Sequence, residues 1–95
     1  MKKRIECKIL GRVQMVMFRD FTRRKARSLG IFGSVKNMKD GSVLVIAEGE
    51  EEDLKRFIDF LNKGSVLSRV DNVEVSWSES KNKFSNFKIV YKDER

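Results

Sequence analysis

The stretch Ile5-Glu6-Cys7-Lys8-Ile9-Leu10-Gly11-Arg12-Val13-Gln14-Met15-Val16-Met17-Phe18-Arg19 changes its periodicity part-way along. Ile5, Cys7 and Ile9 alternate with Glu6, Lys8 and Leu10, the period of two expected of a half-buried strand. From Phe18 onward, Phe18, Phe21, Thr22, Ala26 and Leu29 share one helical face, while Arg23, Arg24, Lys25 and Arg27 are mostly solvated. A strand therefore runs through a short loop into an amphipathic helix, and Gly30 is placed to end that helix in a left-handed conformation. The first N–H groups of a helix lack intrahelical acceptors, and its macrodipole favours an anion there. With Arg19 at that terminus, backbone amides from Gln14, Met15, Val16, Met17, Phe18 and Arg19 could converge on a phosphate-like group.

The rest of the chain alternates in the same way. Ile31 to Met38 reads as a second strand, Lys39-Asp40-Gly41 as a hairpin turn, and Ser42 to Glu48 as a third strand ending at Gly49. Glu50 to Asp53 suit a first helical turn, Leu54, Phe57, Ile58 and Leu61 follow at helical spacing, and Gly64 closes that helix. Val66 to Arg69 is a connection, Val73, Val75 and Trp77 alternate as a fourth strand, and Phe87, Ile89 and Tyr91 as a fifth. The polar segment Ser80 to Ser85 separates the last two. The pattern is α+β, in the order βαββαβ, with the last element either split into a hairpin or followed by one extra edge strand. A ferredoxin-like sandwich, a mainly antiparallel sheet with two helices on one face, packs these elements most economically. Cys7, Trp77 and the phenylalanines follow the strand and helix periods and read as core.

Composition limits the chemistry. The 95 residues fit a single domain, 1–95, able to bury a modest core without disulfides or metal. Cys7 is the only cysteine and there is no histidine. That excludes an intrachain disulfide, zinc sites of the usual kind and histidine-based acid–base or nucleophilic catalysis. A cytoplasmic protein without a membrane span is expected, and a monomer. Net charge is +7, which suits phosphorylated, carboxylated or nucleic-acid partners without choosing among them.

Asn37 adds a second chemical feature at the end of Gly33-Ser34-Val35-Lys36-Asn37. A carboxamide donates and accepts hydrogen bonds, so it can orient a water without changing charge. In a ferredoxin-like sandwich the first loop and the second strand can approach each other, bringing that group beside the anion seat. Taken singly, Arg19 reads as a surface arginine on an ordinary turn and Asn37 as a turn-favouring residue.

Taken together, these residues resemble the acylphosphatase family. Gly11, Val13, Gln14, Val16, Phe18 and Arg19 match its first signature, G-x-V-Q-G-V-x-F-R. Gly33, Val35, Lys36, Asn37, Gly41, Val43 and Gly49 match its second. The resemblance spans nearly the whole chain and implies a hydrolase that cleaves acyl phosphates to carboxylate and inorganic phosphate, with no metal or other cofactor. It carries Arg19 over as the phosphate-binding residue, together with the loop amides, and Asn37 as the residue positioning the attacking water. Met15 stands where the family loop has glycine; if that position needs a positive φ, methionine costs about 1–3 kcal/mol there. Ser34 replaces a usual aromatic.

Two other readings stay open. One is an acylphosphatase-like domain with little or no activity. The other is a basic phosphate- or nucleic-acid-binding module, disfavoured because Ile5, Cys7 and Ile9 of the first strand and Val43, Val45 and Ile46 of the third include no aromatic on which bases would stack.

Overall fold

Strand β1 (Lys2–Arg12) enters at the centre of the molecule and carries the alternation that the sequence shows: Ile5, Cys7 and Ile9 are fully buried and the residues between them face away. The computed structural model describes residues 1–91. After β1 come α1 (Phe18–Ser28), β2 (Phe32–Asn37), β3 (Val43–Glu50), α2 (Glu51–Lys63), β4 (Arg69–Glu79) and β5 (Phe87–Val90). The sheet order is β4-β1-β3-β2-β5, with every neighbouring pair antiparallel except β2 and β5. Helix α1 packs on β2 and β5, and α2 on β1, β3 and β4. This is the expected ferredoxin-like sandwich. No helix among the described residues is long and apolar enough to cross a membrane.

The core lies between sheet and helices. Val35, Val43, Val45 and Ala47 meet Phe18, Ala26, Leu54, Phe57 and Leu61 there. Phe57 and Phe87 meet edge-on with ring centroids 5.9 Å apart. Two motif glycines are needed for close backbone approach. Gly11 (φ 135°) sits at a bulge in the β1–β4 ladder, where a Cβ would strike the Arg69 carbonyl. Gly33 (φ 153°) lies against the Ile46 carbonyl in the same manner.

The structure corrects three expectations. The last two strands form no hairpin: β5 crosses to the far edge and lies parallel to β2, where Phe87 becomes part of the core. The connection 80–86 is held over the sheet face opposite the helices. There the Ser80 hydroxyl (3.2 Å) and the Lys81 N–H (2.9 Å) donate to Glu48. Trp77 stands opposite Ile5, on the helix side, but its strand is at the edge, so it stays 44% exposed. Phe32 stands opposite Glu48 on the open face and stays 41% exposed. Third, the aliphatic residues named for β1 and β3 mostly face the helices, not the open side. Glu6, Lys8, Lys36, Leu44 and Ile46 alternate with them there, so charge and aliphatic groups, not a row of aromatics, occupy the centre of that face.

Candidate active site

The strand registers bring the sequence motifs to one end of the sheet. Ile9 of β1 stands opposite Val43, Val43 opposite Asn37, and Lys36 opposite Val90. The end of β1, the turn 38–42, Asn37 and Tyr91 therefore share an edge, and the loop 13–17 leaves from it toward α1.

That loop takes the conformation for which glycine is suited. Met15 (φ 59°) and Met17 (φ 61°) are both left-handed. This costs about 1–2 kcal/mol for a residue with a Cβ. Met17 precedes α1 and its carbonyl accepts the Phe21 N–H at 3.1 Å, but its side chain offers no cap. The N–H groups of Phe18, Arg19 and Asp20 thus lack an acceptor in the helix and from a cap, leaving a cluster of donors at the positive end of the dipole.

Charges around this terminus are sorted. Asp20 accepts from Arg23 (2.8 Å) and Arg24 (2.9 Å), and these bonds, Arg24 first, hold its carboxyl below the usual range. Arg19 makes no ion pair among the described residues. Its guanidinium lies 5.0 Å from the centre of the Tyr91 ring, a cation–π contact that orients it without neutralising it. Met15, Met17, Phe18, Arg19, Ile89 and Tyr91 line a cavity of about 140 Å³.

Asn37 lies in the adjoining hollow of about 380 Å³, with Lys8, Lys36, Met38, Asp40 and Leu44. Its Oδ1 is buried and has no hydrogen-bond partner. An orphaned buried amide oxygen costs free energy unless a water or ligand donates to it. Gln14 links the two hollows: its Nε2 donates to the carbonyls of Met38 and Ser42, both at 2.8 Å, fastening the loop to the turn that follows Asn37. Asp40 braces that turn by accepting from the Ser42 hydroxyl (2.6 Å) and N–H (2.9 Å) and from Lys8 (3.1 Å). These bonds hold the Asp40 carboxyl far below its ordinary range.

Of the residues singled out from sequence, Met15, Met17, Phe18 and Arg19 share one cavity and Asn37 borders the next. Gln14 spans the two, and Val16 lines a separate groove beside the loop after α2. Cys7 is in the core, and burial pushes its thiol up to about 12, so it offers no thiolate near neutral pH. Sequence reasoning missed Tyr91, which was read as one more strand residue; nothing in a period of two shows that it ends beneath an arginine. It also missed that the Gln14 side chain is a strut as well as part of an amide-bearing loop.

Comparison with known proteins agrees with this arrangement. The family model for Acylphosphatase matches residues 5–89. An acylphosphatase of Caldanaerobacter subterraneus subsp. tengcongensis is 47% identical over 89 residues, covering 94% of this chain and 99% of that protein. One from Salinibacter ruber is 43% identical over 88 residues, covering 93% of each. The crystal structure of acylphosphatase from Bacillus subtilis matches with a TM-score of 0.91 and 37% identity, covering 94% of this chain and 99% of that one. With both signatures in place at one end of the expected sheet and the match running nearly end to end, this chain belongs to the acylphosphatase family.

Proposed function

We propose that this chain hydrolyses the carboxyl–phosphate bond of small-molecule acyl phosphates, with Arg19 and the amides of Gln14 to Arg19 holding the phosphate and Asn37 holding the water. The water oxygen forms a bond to phosphorus as the bond from phosphorus to the acyl oxygen breaks. The carboxylate leaves with the electron pair, and the water's proton passes to a phosphate oxygen. A mixed anhydride is already activated, so positioning and charge stabilisation carry the reaction without a strong general base.

The observation that carries this reading is the buried, partnerless Oδ1 of Asn37 beside a loop of unsatisfied N–H groups and an arginine without a counter-ion. The test is turnover of acetyl phosphate. Arg19→Ala is expected to lower kcat/KM by about 10²–10³, the loss typical of removing one donor to developing charge. Asn37→Ala is expected to lower kcat with KM little changed, because it holds the nucleophile and not the substrate. Turnover by the unaltered chain no faster than by Arg19→Ala would refute the assignment.

A further inference from the structure

Exposed apolar side chains are not scattered over this molecule. Met15 (95% exposed), Met17 (68%), Val66 (99%), Leu67 (66%) and Tyr91 (74%) all lie at the end of the sheet that carries the phosphate loop. An apolar collection of this kind around a site of strong positive charge calls for an occupant. Between α1 and the loop after α2 runs a groove of about 390 Å³, lined by Val16, Met17, Phe21, Val66 and Leu67, with Arg24 and Lys25 at its rim. That volume falls within the roughly 300–1,000 Å³ of small-molecule sites. The groove shares Met17 with the cavity at Arg19 and no lining residue with the hollow at Asn37.

We infer that this groove receives an extended aliphatic acyl chain, making medium-chain acyl phosphates preferred substrates. The inference rests on the acyl phosphate reading above. In phosphoryl transfer the attacking and leaving oxygens lie roughly in line. With the water held at Asn37, the carboxylate and its chain depart from the side of the phosphate away from Asn37. The groove adjoins the phosphate cavity without touching the Asn37 hollow, and its walls are aliphatic and aromatic. The Asn37 hollow, in contrast, is ringed by Lys8, Lys36 and Asp40. An alkyl chain following the phosphate into the Met17 groove covers side chains that otherwise face water.

The test compares kcat/KM for octanoyl phosphate and acetyl phosphate in the unaltered chain, in Arg19→Ala, and in the double variant Val66→Ser/Leu67→Ser. Both changes in the double variant fall on an exposed connection. The expected result is a preference for octanoyl phosphate of about tenfold or more, expressed mainly in KM, that falls close to one in the double variant. Arg19-dependent turnover with no chain-length preference, or a preference that survives the double substitution, overturns the groove and leaves the acyl phosphate reading standing. Absence of Arg19-dependent turnover of either substrate overturns both. Sedimentation completes the test: self-association abolished by the double substitution, with no chain-length preference, assigns the patch to a second copy and overturns the proposal.

Discussion

Met15 and Met17 show how a site can keep its backbone while losing the residue that adopts it most easily. Both lie in the left-handed region, so the loop follows the course a glycine would give it and pays in strain. Met15→Gly should therefore act on stability more than on turnover. Relief of about 1–2 kcal/mol of steric cost is partly offset by the extra freedom glycine gives the unfolded chain, about 0.4–1 kcal/mol. A urea midpoint raised by a net stabilisation of about 0.5–1 kcal/mol, with acetyl phosphate turnover little changed, is the expected outcome. A lower midpoint would show that the methionine packs well enough to outweigh its strain. Asn37 is the opposite case: its backbone is ordinary, and the strain lies in an unmet hydrogen-bond acceptor.

At the level of elements, helix α1 turns Phe18, Thr22 and Ala26 to the core. Thr22 is fully buried and its hydroxyl has no partner among the described residues. Replacing it with valine of the same shape removes that unmet polar group, and Thr22→Val is expected to stabilise the fold by about 1 kcal/mol. For a domain of this size that is a rise in Tm of about 4–8 °C by calorimetry. A fall would mean that the hydroxyl has a partner in solution, such as a buried water. The helices and first three strands were legible because period and punctuation define them: Ile5, Cys7 and Ile9 for β1, Gly30 after α1, Gly41 between β2 and β3. The position of β5 was not legible, since a period of two says which face a residue takes and never which strand lies beside it. The exposure of Trp77 escaped for the same reason, being a property of its place at the sheet edge. In the site, Arg19 and Asn37 were legible through the signatures. The Tyr91 contact and the Gln14 strut were not, because each joins segments far apart in sequence.

Across the whole molecule, the connection 80–86 covers the Arg4–Glu48 pair on the open side of the sheet. Arg4 (8% exposed) and Glu48 (6%) meet at 2.9 Å, with the Phe84 ring 5.9 Å from the guanidinium carbon. Burial raises the Glu48 pKa, but the N–H groups of Lys81 and Lys83, the Arg4 guanidinium and the Ser80 hydroxyl together outweigh it and leave the carboxyl below its ordinary 4.5. As pH falls, the unfolded chain therefore takes up this proton before the folded one does. The contribution is whole above about pH 4.5 and is lost as pH drops through the lower folded value. Glu48→Gln is expected to cost about 3 kcal/mol at neutral pH, by leaving Arg4 buried without its main counter-ion. It should also flatten the decline in stability below pH 4.5, measured by urea unfolding across an acid series. A decline as steep as in the unaltered chain would place the acid sensitivity elsewhere, as in Asp20 or Asp40. The same crossing connection has a consequence in time. Because β4 pairs with β1 and β5 returns to β2, neither sheet edge can form until nearly the whole chain has been gathered. Arg19 meets Tyr91 only when that last strand arrives. The sequence contains no proline, so slow prolyl isomerisation is absent, and the pace of folding is set by the search for these distant pairings. A complete substrate seat is thus a late product of folding, assembled after the hydrophobic core that supports it.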